Sequence, residues 1–152
     1  MATLFLICGL PGSGKTTLAK QLEISRLALR LCPDEWIAPL LADITDAVEL
    51  DRLRTPVESV QWEIAKRVLV LGVDVILENG FWSRNERANY RSQAEALGAH
   101  VELRYLNVSR DELWARLSKR NVNLPPGTFV VREDQLDLWL SLFEPPAEDE
   151  FK

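Results

Sequence analysis

Gly9-Leu10-Pro11-Gly12-Ser13-Gly14-Lys15-Thr16 is the stretch on which the reading of this chain turns. It matches G-x-x-x-x-G-K-[ST] at every position. Each part has a physical job. Glycines let the backbone wrap an anion with its N–H groups pointing inward, and the helix that follows aims its positive end at the same place. Lys15 is long enough to reach β- and γ-phosphates, and the Thr16 hydroxyl is a hard oxygen ligand for magnesium. The pattern arises by chance in roughly one chain in a few hundred of this length. Here Gly9, Gly12, Ser13, Gly14, Lys15, Thr16 and Thr17 are therefore expected to hold the phosphates of a nucleotide.

The residues on either side support this. Thr3-Leu-Phe-Leu-Ile-Cys8 is an apolar run without alternation, the pattern of a strand buried on both faces. Further extended segments read at about Leu27–Cys32, Asp74–Glu78 and His100–Leu106, each followed by helical periodicity. Strand-helix repetition of this kind predicts an α/β fold, a parallel sheet with helices on both faces. Thr55-Pro-Val-Glu58, Ser83-Arg-Asn-Glu86 and Ser109-Arg-Asp-Glu112 read as capping boxes that start helices, and Gly72 and Gly98 as stops. Short helical pieces broken by Pro39 are expected over Asp34–Arg54. A loop is expected over Asn121–Thr128, and a last helix at about Arg132–Phe143. Residues 1–144 read as one domain, and 145–152, with Glu148-Asp-Glu150, as a solvated acidic tail.

Composition narrows the class. The chain has 152 residues, 47% of them hydrophobic, which suits one well-filled domain. Its net charge of −5 gives no global attraction to phosphate backbones or anionic membranes. Two cysteines, Cys8 and Cys32, lie in apolar stretches and read as reduced core thiols. No stretch approaches the roughly 20 apolar residues of a membrane span, and a soluble, cytoplasmic protein is expected.

Candidate chemistry gathers near strand ends, where the crevice of an open α/β sheet lies. Asp34, in Cys32-Pro-Asp-Glu-Trp36, is placed to accept the proton of an attacking hydroxyl, or else to cap the next helix. Glu78 closes the third strand, where an acid can stand near magnesium. Arg116 and Arg120 share a helix face and lead into Pro125-Pro126-Gly127, so they can close over transferring phosphate. Arg84, at the start of its helix, is a substrate-binding candidate. Trp36 and Trp82 each follow a strand-end acid and read either as walls of an acceptor pocket or as core. The Asn-Lys-x-Asp base-reading motif of GTPases and the Leu-Ser-Gly-Gly-Gln signature of transport ATPases are both absent.

Gly9–Thr17, Pro33-Asp-Glu-Trp36, Glu78-Asn-Gly-Phe-Trp-Ser-Arg84 and Arg116–Asn121 together resemble the small P-loop kinases related to zeta toxin and chloramphenicol phosphotransferase. Polynucleotide 5′-kinases are more distant relatives. The resemblance implies a P-loop NTPase three-layer sandwich with strand order 2-3-1-4 and a small mobile lid. It also implies Asp34 as general base, Arg116 or Arg120 as lid arginine, and ATP with Mg2+ as cofactors. Two positions depart from the pattern: the third-strand acid is Glu78 rather than aspartate, and Ile37 stands where polynucleotide kinases tend to carry arginine. The expectation is an ATP-dependent kinase for a small hydroxylated acceptor. A polynucleotide 5′-hydroxyl kinase and a nucleotide-binding switch with slow ATPase activity are the alternatives.

Overall fold

A computed structural model describes residues 1–152. Four strands, β1 (Thr3–Cys8), β2 (Leu29–Leu31), β3 (Val75–Gly80) and β4 (His100–Tyr105), form one parallel sheet in the order β2-β3-β1-β4. Six helices accompany them: α1 (Lys15–Arg26), α2 (Pro33–Ile37), α3 (Ala47–Val70), α4 (Arg84–Ala96), α5 (Arg110–Val122) and α6 (Glu133–Leu142). The expected order and parallel arrangement are both present.

The unalternating β1 sequence follows from its central place. Phe5 and Ile7 pack toward Ala19 and Leu22 of α1, while Leu4, Leu6 and Cys8 pack toward Trp62, Ala65 and Leu69 of α3 and Ala94 of α4. All six β1 residues are buried, so each large side chain contributes roughly 1.5–3 kcal/mol from leaving water. A third cluster, Leu10, Leu113, Leu117, Val131 and Leu136, fastens α5 and α6 to the phosphate loop. Cys8 and Cys32 are free, and burial pushes their thiols up to about 11 and about 12, respectively.

Ser83 and Ser109 cap α4 and α5, accepting from the N–H groups of Glu86 and Glu112. The third expected box does not start a helix. Asp46 caps α3, its Oδ1 accepting from the Glu49 N–H at 3.1 Å, and Thr55-Pro56 lies well inside. Pro56 occupies an exposed position, where water can satisfy the carbonyl that its missing N–H leaves open. The cap at Asp46 and packing of α2 against α3 carry the helix through it.

The acidic tail is docked through Glu150, while Glu148 and Asp149 stay exposed to solvent as expected. Glu148–Phe151 forms a 3-10 turn, and the Glu150 carboxylate accepts from Arg87 Nε at 2.7 Å. Arg87 is itself buried and donates to the Phe81 carbonyl at 2.8 Å. Arg91 donates to the Glu150 carbonyl at 2.7 Å. A buried guanidinium needs a partner, and the tail supplies it.

Candidate active site

The phosphate loop turns from β1 into α1. Gly12 has φ +85°, and a Cβ there would meet Leu117 Cγ at 2.9 Å, so glycine lets the loop lie directly on α5. Gly14 precedes α1 in a left-handed conformation without any side-chain cap, and no acidic residue occupies the first turn. The helix therefore presents free N–H groups and an uncompensated positive end to an anion. Lys15 Nζ donates to the Leu10 carbonyl at 3.0 Å, folded back along the loop. Burial pushes its ammonium down to about 8, against the opposing pull of Asp34 and Glu78.

A cleft of about 1090 Å³ opens over this loop. Gly12, Gly14, Lys15, Thr16 and Thr17 line one end, with Asp34, Glu78, Arg116 and Arg120 around it. Gly9 and Ser13 support the loop from behind, Ser13 being buried with its hydroxyl unpartnered. Thr16 Oγ1 donates to Glu78 Oε1 at 2.7 Å. One hydroxyl and one carboxylate side by side make a hard-oxygen pair that fits magnesium, an ion that fills its remaining positions with phosphate oxygens and water.

Two arginines that the sequence reading passed over organise these acids. Arg30 of β2 donates to Glu78 Oε2 at 2.6 Å, to both Glu35 oxygens at 3.0 Å and to Glu23 at 3.3 Å. A single basic residue in the apolar run Leu27–Cys32 was the available signal. Arg54 of α3 lies 3.1 Å from Asp34 Oδ1, and both side chains border the cleft. Nothing in the local sequence marks Arg54, because the pairing joins two helices.

The lid is the segment between α5 and α6. Asn121 fixes it by bonding both backbone groups of Val131, at 2.6 and 3.0 Å. Gly127 packs against Glu35, which brings Pro125-Pro126-Gly127 down over α2. Arg120 is half-buried and donates to the Phe129 carbonyl at 3.4 Å, with its Nε unpartnered. Burial holds its guanidinium below the usual range, with Asp34 acting in the opposite direction. Arg116 is exposed and pairs with Glu112 at 2.9 Å, with one contact of 3.3 Å to the Gly12 carbonyl.

Three candidates stand elsewhere. Trp36 is exposed outside the cleft, and Trp82 packs on Trp139 with ring centroids 5.7 Å apart. Of that pair, Trp139 is the one that reaches the cleft. Arg84 is paired with Asp149 and Glu150 of the tail and does not line the cleft. The helical geometry of α4 puts its basic face toward the docked tail.

A family model described as an AAA domain matches residues 4–146. The chain belongs to the AAA-domain family. Solved structures share this P-loop fold. A candidate kinase from Chloroflexus aurantiacus is 20% identical with a TM-score of 0.76, the match covering 97% of this chain and 83% of that one. A sugar kinase from Janibacter sp. HTCC2649 is 20% identical with a TM-score of 0.68, covering 98% and 82%. A chain of the Pnkp1/Rnl/Hen1 RNA repair complex is 17% identical with a TM-score of 0.69, covering 93% and 43%. No curated protein sequence matches the chain. Within the AAA-domain family the fold here is kinase-like, and no helix is long and apolar enough to cross a membrane.

Proposed function

We propose that this AAA-domain protein is an ATP-dependent kinase that transfers the γ-phosphate to a hydroxyl of a small-molecule acceptor. The observation that carries the reading is Asp34. A carboxylate stands across the same cleft from Lys15 and Arg120, where a switch protein needs none. In this reading the phosphate loop and Lys15 hold the β- and γ-phosphates, and Thr16 with Glu78 would hold magnesium. Magnesium, when bound, neutralises charge on the phosphate oxygens. Asp34, steadied by Arg54, takes the proton of the attacking hydroxyl. Arg120 stabilises charge that develops on the phosphoryl group as the lid settles. Arg116, tied to Glu112 and Gly12, orients the loop.

The far arm of the cleft supports a compact, partly apolar acceptor. Its walls beyond Asp34 are Ala38, Pro39, Ile44 and Leu50, aliphatic groups in place of the tryptophans expected there. Incubating the protein with labelled ATP and magnesium against a panel of sugars, nucleosides and antibiotics tests the reading. Label in an acceptor, lost in Asp34→Asn, supports it. Release of phosphate alone across the whole panel sinks it in favour of a slow ATPase. Polynucleotide 5′-hydroxyl kinase is the second reading, favoured by the likeness to the RNA repair chain. Arg84, Arg87 and Arg91 weigh against it, because the tail already occupies them.

A further inference from the structure

Two charged groups held away from solvent are answered singly. Arg87 has the Glu150 carboxylate, and Glu58, whose carboxyl burial pushes up to about 7, has Arg54 acting against that shift. Arg30 is different. One guanidinium there serves three acids from three elements, Glu23 of α1, Glu35 of α2 and Glu78 of β3.

The sheet register puts it there. Arg30 pairs with Ile76 in the parallel β2–β3 ladder, so it shares a face with Ile76 and, two residues on, with Glu78. That face is the one α1 covers, where Ile76 packs with Ala19 and Leu22. Arg30 Nη1 donates to Glu78 Oε2 at 2.6 Å, and the other oxygen of that carboxylate accepts from Thr16 at 2.7 Å. The Glu78 side chain is 1% exposed, so it needs both contacts in place of water.

The second arm reaches the lid. Arg30 Nη2 donates to both Glu35 oxygens at 3.0 Å. Glu35 then carries the lid on its aliphatic stem: a Cβ on Gly127 would meet Glu35 Cγ at 2.7 Å and Cα at 3.3 Å. Asn121 and Arg120 fix the far root of the lid at Val131 and Phe129, and Glu35 meets its tip. Thr16, Glu35, Glu78 and Gly127 all border the cleft, whereas Arg30 stands behind them and does not.

We propose that Arg30 is a positioning residue that ties the magnesium end of the cleft to the lid. Its planar fork holds Glu78 beside Thr16 with one arm and sets Glu35 under Gly127 with the other, a geometry that a lysine ammonium does not reproduce. Its charge has a second effect. Without a cation on Glu78, a polyphosphate bound free of metal would face an uncompensated carboxylate, and like charges repel strongly where water is excluded. Magnesium would supply the missing charge. The proposal rests on the nucleotide and magnesium part of the kinase reading and needs no acceptor.

The test uses the full chain and the β,γ-imido analogue of ATP, with and without magnesium. Calorimetry reads affinity, and hydrogen exchange reads the lid amides of residues 127–130. In the wild-type chain the analogue with magnesium should slow that exchange. Arg30→Met should weaken metal-free binding by roughly 10-fold or more, weaken binding with magnesium much less, and leave the lid amides unprotected. Arg30→Lys keeps the charge and loses the fork, so affinities should stay near wild type while lid protection is lost. Glu35→Gln keeps the stem and the Arg30–Glu78 pair but loses the second paired charge. It should match Arg30→Lys, which separates the hold of Arg30 from mere packing on Glu35. These two variants keep a cation on Glu78 and decide the matter even where Arg30→Met does not fold. Equal losses with and without magnesium in Arg30→Met mark a structural role only and overturn the proposal. Wild-type lid protection in both Arg30→Lys and Glu35→Gln overturns it as well. A wild-type chain that binds no analogue in magnesium overturns the nucleotide reading and the proposal together. The labelled-ATP assay of acceptors tests the kinase reading separately, so the two fail on different measurements.

Discussion

Asp34 and Arg54 face each other at 3.1 Å across the gap between α2 and α3, and both border the cleft. Ile37, where the resembled polynucleotide kinases tend to carry arginine, is fully buried instead. A guanidinium from a different helix stands beside the carboxylate. Asp34→Asn keeps shape but cannot accept a proton. Nucleotide affinity should stay near wild type while the transfer rate falls roughly 100-fold or more. Transfer that persists at the wild-type rate would leave Asp34 with a structural role only.

Burial lowers the Lys15 ammonium to about 8, and the negative charge of a bound polyphosphate must raise that value. ATP binding at pH 8.5 should therefore draw a proton from buffer, and at pH 6.5 should draw none through this group. Calorimetry in buffers of different ionisation enthalpy measures the uptake. Lys15→Ala should abolish both the uptake and turnover, and weaken ATP binding strongly.

The two lid-side arginines should separate. Arg120→Ala should lower kcat by roughly 10-fold or more with little change in ATP affinity, since the cleft-facing guanidinium acts on charge formed in the transition state. Arg116→Ala, losing an exposed pair and one loop contact, should have the smaller effect. Steady-state kinetics of both variants decides, and a reversed order would move the transition-state role to Arg116.

Glu58 is an acid whose folded value, about 7, lies above its unfolded value near 4.5. The folded state then binds the extra proton between those values, so stability should fall as pH rises from about 4.5 to 7. Glu58→Gln should flatten that part of the profile and raise Tm at pH 7.5. Thermal melts across pH measure it, and parallel curves for the two proteins would contradict the burial argument.

Removing residues 145–152, or substituting Glu150→Gln, should destabilise the whole domain. Arg87 would stay buried without its carboxylate, a change that costs about 3–5 kcal/mol when a buried pair is broken. The exposure of part of Glu150 puts the expected loss toward the low end. Denaturant titration checks this, and an unchanged midpoint would return the tail to a solvated role.

Local sequence carried much of the fold. β1, the phosphate loop, the Ser83 and Ser109 caps and the Gly72 and Gly98 stops were all legible, because each depends on residues within a few positions of one another. The Thr55 box misled for the same reason. A capping pattern is local, but whether a helix starts there depends on what packs upstream, and Asp46 had already started it.

What the sequence determined alone is the chemistry tied to contiguous residues: a strand, a phosphate-binding turn and a helix whose uncapped first turn suits an anion. The tertiary structure decided which distant groups meet. Arg30 joins β2 to Glu78 and Glu35, Arg54 reaches Asp34, Asn121 pins the lid, and the tail neutralises Arg87. A charged side chain on a helix reads alike in sequence whether water or a buried carboxylate receives it. Only when the sheet and helices close does desolvation require each buried charge to find its partner.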